Sequence, residues 1–247
     1  MRKTLAFAHR CALEMIREPI SLFFGVIFPL ILMGLLTLIN NSIPAEANMK
    51  LFEIDTLSPG IAAFSLCFLC LFSAMLISKD RTTSFMHRLY VSPMTSGSFI
   101  AGYSAPLIPM ALAQVAVCFA AALLLGMTPT VRIIPAAISL LPLTVINISL
   151  GLICGTVLPE KAVGGICGAL LTNVAGWFSG TWFSLDLVGG AFKKIAYFLP
   201  YANAVDAARK ILSGSGDYGM NLLNNIIWAA ALSLISVIVF RLKSRLD

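Results

Sequence analysis

The cysteines and histidines are the residues of this sequence whose chemistry suits metal binding or acid–base catalysis. Cys67 and Cys70 form a C-x-x-C pair inside an apolar stretch, with no further polar ligand beside them. Cysteines in such surroundings are predicted to be small buried hydrophobic residues rather than a metal or redox site. His9 and His87 form no H-E-x-x-H motif, and the phosphate-binding motif G-x-x-x-x-G-K-S/T is missing as well. The sequence therefore predicts neither an enzyme nor a cofactor held by this chain.

Uncharged polar residues inside long apolar stretches are the next candidates, because a membrane-embedded site would be built from them. Asn147, Thr172 and Asn173 are the chief examples, with Gln114, and we predict that the first three line a substrate pathway. The 17 basic and 11 acidic residues all lie outside these stretches. Carriers driven by protons or ions usually bury an ionisable residue near the membrane midplane. If the chain transports a substrate, its energy is therefore expected to come from another subunit.

The composition is that of a membrane protein. Hydrophobic residues make up 59% of the chain and charged residues 11%, with a mean hydropathy of +0.92. Soluble domains carry about 25% charged residues, so this chain could not keep a solvated surface in water. The net charge of +6 comes from residues scattered between apolar runs. Such scattering is typical of topology signals and contact with lipid, and it argues against a nucleic-acid partner.

The apolar runs predict an all-α integral membrane protein with six transmembrane helices. A helix needs about 20 apolar residues to cross the hydrocarbon core. Six stretches meet that length, and they are Ile20–Ile39, Pro59–Ser78, Phe99–Leu125, Ile133–Leu158, Ala162–Phe183 and Asn221–Phe240. No cleavable signal precedes them, because the segment before the first stretch is too long and too charged.

The distribution of Lys and Arg predicts that both termini are cytoplasmic. With that orientation, eleven of the 17 basic residues face the cytoplasm and six face outward. We accordingly divide a single transmembrane domain, 1–247, into an interfacial helix, five spans, an external hairpin, a sixth span and a cytoplasmic tail. Their predicted bounds are 1–19, 20–183, 184–220, 221–240 and 241–247.

Three segments outside the spans have patterns of their own. Residues 2–18 predict an amphipathic helix on the inner leaflet, ended by Pro19. The segment 79–93 predicts a second amphipathic helix, which either connects two spans or docks a cytoplasmic partner. The segment 184–220 predicts two short helices interrupted by Pro200, which form either a structural cap or a substrate gate.

A family resemblance follows from the order of several short motifs along the six spans. The quoted stretches are Arg17-Glu18-Pro19, Asp80-Arg81, Arg88-Leu89, Ser92-Pro93-Met94, Phe99-Ile100-Ala101-Gly102, Phe178-Ser179-Gly180, Phe198-Leu199-Pro200-Tyr201 and Asp206-Ala207-Ala208-Arg209. Together they resemble the permeases of ABC-2 type exporters over essentially the whole chain. The sequence departs from the family pattern at Thr82-Thr83-Ser84, at Tyr103 and in the lack of a proline around 187–192.

The resemblance implies a permease subunit in a bacterial plasma membrane, paired with a second permease copy and with separate ATP-binding cassette subunits that hold ATP and Mg. It implies export of an amphipathic drug, peptide, lipid or glycoconjugate. Two residue sets follow from it: the ATPase-coupling residues Asp80, Arg81, Phe85, Met86, Arg88 and Leu89, and the external-hairpin residues Pro200, Tyr201, Asp206 and Arg209. An ATP-independent six-helix carrier or channel and a non-transporting membrane scaffold stay open as alternatives.

Overall fold

The computed structural model describes residues 2–42, 50–83 and 96–243, and these ranges contain helices and no β-strand. The all-helical prediction is therefore confirmed for them. The helices, numbered α1 to α10 in chain order, are α1 Arg2–Arg17, α2 Pro19–Ser42, α3 Ile54–Thr82, α4 Gly97–Leu124, α5 Ile133–Val157, α6 160–178, α7 Leu185–Val188, α8 Gly190–Phe198, α9 Pro200–Ser213 and α10 Gly219–Lys243.

The chain turns between α1 and α2 at a proline. Glu18 has extended dihedral angles, and Pro19 occupies the first turn of α2, where its missing N–H costs nothing. One face of α1 buries Phe7, Cys11 and Met15, while its opposite face is exposed. The helix that the sequence predicts here is present as α1, but Leu5 and Ile16 of its apolar side are exposed. Its position on the inner leaflet stays a prediction.

Helix α3 lies at the centre of the bundle. In its most apolar 18-residue window 94% of the residues are buried, and α2, α4, α5, α6 and α9 all pack against it. Close approach of α5 depends on glycines: a Cβ added at Gly151 would lie 2.5 Å from the carbonyl oxygen of Cys70. Small residues at helix interfaces allow such contact in membrane proteins.

Five of the helices in the described ranges are long and apolar enough to cross a membrane, namely α2, α3, α4, α5 and α10. The predicted fifth span, Ala162–Phe183, corresponds to α6, which ends at Phe178 and includes a π-helical segment, Gly164–Leu171. The structure therefore supports a multi-pass membrane protein. The count of six spans stays a prediction.

Beyond α6 the chain forms three short helices before the last long one. Gly189 and Gly190 have φ angles of +63° and +54°, a conformation that favours glycine; Gly189 separates α7 from α8, and Gly190 is the first residue of α8. Pro200 begins α9 and so interrupts the helical path, as the sequence predicts. Gly214 ends α9 in the left-handed conformation. An external hairpin in this region stays a prediction.

Candidate functional site

A buried carboxylate at the end of α3 organises one end of the bundle, which we call the α1 end. Asp80 is 1% exposed, and both of its oxygens accept from Arg10 of α1, at 2.5 and 2.7 Å. Tyr103 of α4 donates its hydroxyl to the same carboxylate at 2.9 Å. The hydrogen bond to Asp80 raises the pKa of the Arg10 guanidinium above its ordinary value. Three helices are therefore joined through one paired charge.

Two more exposed ion pairs extend the contact between α1 and α3. Glu14 bonds Arg10 at 2.7 Å, one turn along α1, and Lys79 at 3.0 Å. Pairs this accessible contribute little stability each, so their main effect is to fix the register of α1 on α3. Phe7 of α1 completes the contact, with its ring edge against Tyr103 at a centroid distance of 4.9 Å.

Arg81 bonds the other side of the last turn of α3 to the end of α5. Its Nη1 donates to the carbonyl of Gly155 at 3.1 Å and to that of Leu158 at 3.4 Å. These carbonyls belong to the end of α5, where they lack helical partners and a cation is favourable. Thr82 also bonds Glu160 at 3.1 Å. The last turn of α3 is thus clamped to α1 on one side and to the α5–α6 turn on the other.

The predicted ATPase-coupling residues divide between this clamp and a segment outside the described residues. Asp80 and Arg81 are engaged within the chain, as described above. Phe85, Met86 and Leu89, like Arg88, lie outside the described residues. Their role in coupling stays a prediction. The clamp partners Arg10, Glu14 and Tyr103 were not predicted, although Arg10 and Glu14 lie on the polar side of α1 and Tyr103 departs from the family pattern.

At the opposite end of the bundle, Arg209 ties α9 to two other elements. It donates to the carbonyls of Thr56 at 2.9 Å and Gly180 at 3.0 Å, while its Nη2 is buried with no partner among the described residues. Burial lowers the pKa of this guanidinium, and the nearby Asp206 opposes that shift. Arg209 therefore anchors α9 on α3 and on the end of α6.

The other predicted hairpin residues also make contacts within the chain. Tyr201 donates to the side chain of Asn147 at 3.4 Å. Asp206 accepts from Tyr197 at 2.6 Å, whereas Lys210 donates to Asn221 at 3.0 Å. The Asp206–Lys210 pair that helical spacing suggests is therefore replaced by two different pairs, because each side chain has a nearer partner on another helix.

The predicted pathway residues are satisfied within the chain or lie at its surface. Asn147 bonds the carbonyl of Leu143 at 3.0 Å as well as Tyr201, and Thr172 bonds the carbonyl of Cys167 at 3.0 Å. Asn173 is exposed and bonds its own helix. The geometry leaves these groups little hydrogen-bonding capacity for a substrate, and their role stays a prediction.

Gln114 differs from those residues. It is 1% exposed, and neither its Oε1 nor its Nε2 has a hydrogen-bond partner among the described residues. Its side chain lines a cavity of about 310 Å³ between α1, α2 and α4, whose other walls are mainly apolar, with Met15, Leu22 and Met110 among them. An unpaired buried amide is costly. Both of its polar atoms are closed to water in this structure, so a ligand in the cavity would bond them only after the Gln114 side chain rotates.

A family model described as ABC-2 type transporter matches residues 2–213. The matched range includes α1 to α9, and so the last turn of α3 as well as Arg209. This match confirms the family that the sequence motifs suggest. No curated protein matches the chain.

Proposed function

Because the chain belongs to the ABC-2 type transporter family, we propose that it is the membrane-spanning permease subunit of an ATP-driven exporter. ATP and Mg bind a separate ATP-binding cassette subunit, and a second permease copy completes the membrane part. The complex lies in a bacterial plasma membrane with both termini of this chain in the cytoplasm. The family match carries this proposal, and the clamp at the end of α3 supports its mechanism.

The clamp offers a path for force from an ATPase to the spans. The predicted coupling segment, 79–93, begins within the last turn of α3, which holds Asp80 and Arg81 and ends at Thr82. A displacement of that segment would move α1 through Arg10 and α5 through Gly155, since both are bonded to this turn. The three helices would therefore move together, which is what a rigid-body transition between two access states needs.

The coupling segment itself supplies the test of the ATPase partnership. Phe85→Ala and Leu89→Ala are expected to weaken binding of the ATPase at least about fivefold, because truncating an interface anchor costs more than about 1 kcal/mol. The measurement is affinity purification of the tagged chain from its native membranes, with ATP-binding cassette subunits identified and quantified by mass spectrometry.

The matched control is Leu124→Ala. Leu124 is 89% exposed and is the last residue of α4, at the other end of that helix from Tyr103, so the recovered ATPase should equal that of the unmodified chain. Equal recovery from all three variants would refute the coupling assignment. Failure to recover any ATP-binding cassette subunit with the unmodified chain would refute the proposed function.

The cavity at Gln114 supports an amphipathic substrate. Its apolar walls suit a hydrocarbon body, and the Gln114 amide, once rotated into the cavity, suits one polar group with a donor and an acceptor. It lies beside α1, at the end of the bundle that we place in the cytoplasm. The substrate would therefore enter from the inner leaflet.

Gln114→Leu separates ligand binding from stability. Leucine removes a buried polar group that has no hydrogen-bond partner among the described residues, so the free energy of unfolding should stay equal or rise. Binding of a dansyl-labelled undecanamide, measured by fluorescence with the chain in nanodiscs, should weaken at least about tenfold, which corresponds to about 1.4 kcal/mol. Asn173→Leu tests the predicted pathway residue on α6, whose amide is exposed and bonded within its own helix. A larger loss from Asn173→Leu would place the pathway at α6 instead.

A further inference from the structure

Three thiols from three different helices meet inside the bundle. Cys70 of α3, Cys154 of α5 and Cys167 of α6 have Sγ atoms that all lie within 4.8 Å of one another. Cys70 and Cys167 are buried and Cys154 is half-buried. The C-x-x-C pair of the sequence is divided by the fold, since the Sγ of Cys67 points to the carbonyl of Ala63 at 3.6 Å. The cluster thus uses cysteines that are far apart in the sequence.

Backbone packing fixes the position of the cluster. Gly151, one helical turn before Cys154, lets α5 approach the backbone of α3 so closely that a Cβ there would lie 2.5 Å from the carbonyl oxygen of Cys70. The third thiol comes from the π-helical segment Gly164–Leu171. Such segments occur often at functional sites, because the wider turn re-aims the side chains.

We propose that Cys70, Cys154 and Cys167 bind one soft monovalent cation of the Cu(I) type. Sulfur-only ligand sets select soft ions. Structural zinc sites are four-coordinate, and no His, Asp or Glu among the described residues joins these three thiols. Three sulfurs at about 2.3 Å from a central ion would lie about 4 Å apart, a spacing that the observed 4.8 Å limit accommodates.

Binding is coupled to release of protons. Metal-bound cysteines are thiolates, so the thiols pass their protons to the solvent as the cation binds. The site does not depend on the proposed export function.

The test is anaerobic Cu(I) binding by the full chain in detergent, with bicinchoninate as the competing ligand. One Cu(I) per chain is expected. Cys70→Ser, Cys154→Ser and Cys167→Ser should each weaken binding at least about 100-fold, since even a group that only supports a metal ligand contributes 10–100-fold. Cys118→Ser is the control, because that buried thiol lies beside Ser65, outside the cluster. Size-exclusion profiles of all variants exclude a general loss of folding.

X-ray absorption at the copper edge gives a second readout that is independent of the variants. Three sulfurs at a single short distance would support the site. Fewer than three sulfurs, or an affinity unchanged by all three cluster substitutions, would overturn it. Displacement of the bound Cu(I) by an equal concentration of Zn(II) would overturn the assignment to a soft monovalent cation.

Discussion

Replacing Arg10 with methionine should lower the free energy of unfolding by about 3 kcal/mol, because it leaves the Asp80 carboxylate buried without a cation. Breaking a buried ion pair by removing one partner costs about 3–5 kcal/mol. The lower end applies here, since Arg10 has a side-chain exposure of 36% and Tyr103 still donates to the carboxylate. Equilibrium unfolding in mixed micelles with increasing dodecyl sulfate measures the change.

A double-mutant cycle distinguishes loss of the pair from loss of packing. Asp80→Asn removes the buried charge, so Arg10→Met combined with Asp80→Asn should be more stable than Arg10→Met alone, by at least about 1 kcal/mol. Arg17→Met is the matched control, because Arg17 is an exposed arginine in the last turn of α1. Additive effects of the two substitutions would show that the bonds between Arg10 and Asp80 contribute no coupling energy.

The same substitution bears on transport as well as on stability. The proposed transmission of force passes through the bonds between α1 and the end of α3. Arg10→Met should therefore reduce substrate-stimulated ATP hydrolysis by the assembled complex even at temperatures where the permease remains folded. The free energy of unfolding and the rate of ATP hydrolysis therefore both report on the bonds between Arg10 and Asp80.

The sequence predicts local features of this protein well because they depend on neighbouring residues. The break between α1 and α2 follows from Pro19, and the interruption before α9 follows from Pro200. The placement of charges outside the apolar stretches follows from the cost of burying them in lipid. Each of these inferences needs only one segment of chain.

Contacts between distant segments were not predictable in the same way. The partners Arg10 and Asp80 are 70 residues apart, and nothing in the periodicity of α1 or α3 pairs them. The C-x-x-C spacing relates Cys70 only to Cys67, and the apolar surroundings predict that both are small buried hydrophobic residues. Tertiary packing overrides such spacing, and it groups Cys70 with Cys154 and Cys167.

Helical spacing can also be misleading where a closer partner exists. Asp206 and Lys210 are four residues apart on α9, which permits an ion pair worth about 0.2–0.5 kcal/mol. In the structure Asp206 bonds Tyr197 and Lys210 bonds Asn221, because both partners reach α9 from neighbouring helices. A gain this small is readily replaced by tertiary hydrogen bonds.

Gly151→Ala should lower the free energy of unfolding by about 2–3 kcal/mol, the upper part of the range for overpacking a close contact. The added methyl would meet backbone, the Cys70 carbonyl oxygen at 2.5 Å, as well as the Cβ of Ser73 at 2.5 Å. A carbonyl in a central helix cannot rotate away as a flexible side chain can, so α5 and α3 must separate. Unfolding in mixed micelles gives the free energy.

Gly34→Ala is the matched control for this substitution. Gly34 lies within α2, and a Cβ added there meets nothing within 4 Å. The free energy of unfolding of the Gly34→Ala variant should equal that of the unmodified protein or exceed it by up to about 1 kcal/mol, because alanine has the higher helix propensity. Equal effects at the two positions would mean that glycine acts through propensity and not through the contact of α5 with α3. A selective loss at Gly151 would show that close backbone packing positions the helices that carry Cys70 and Cys154.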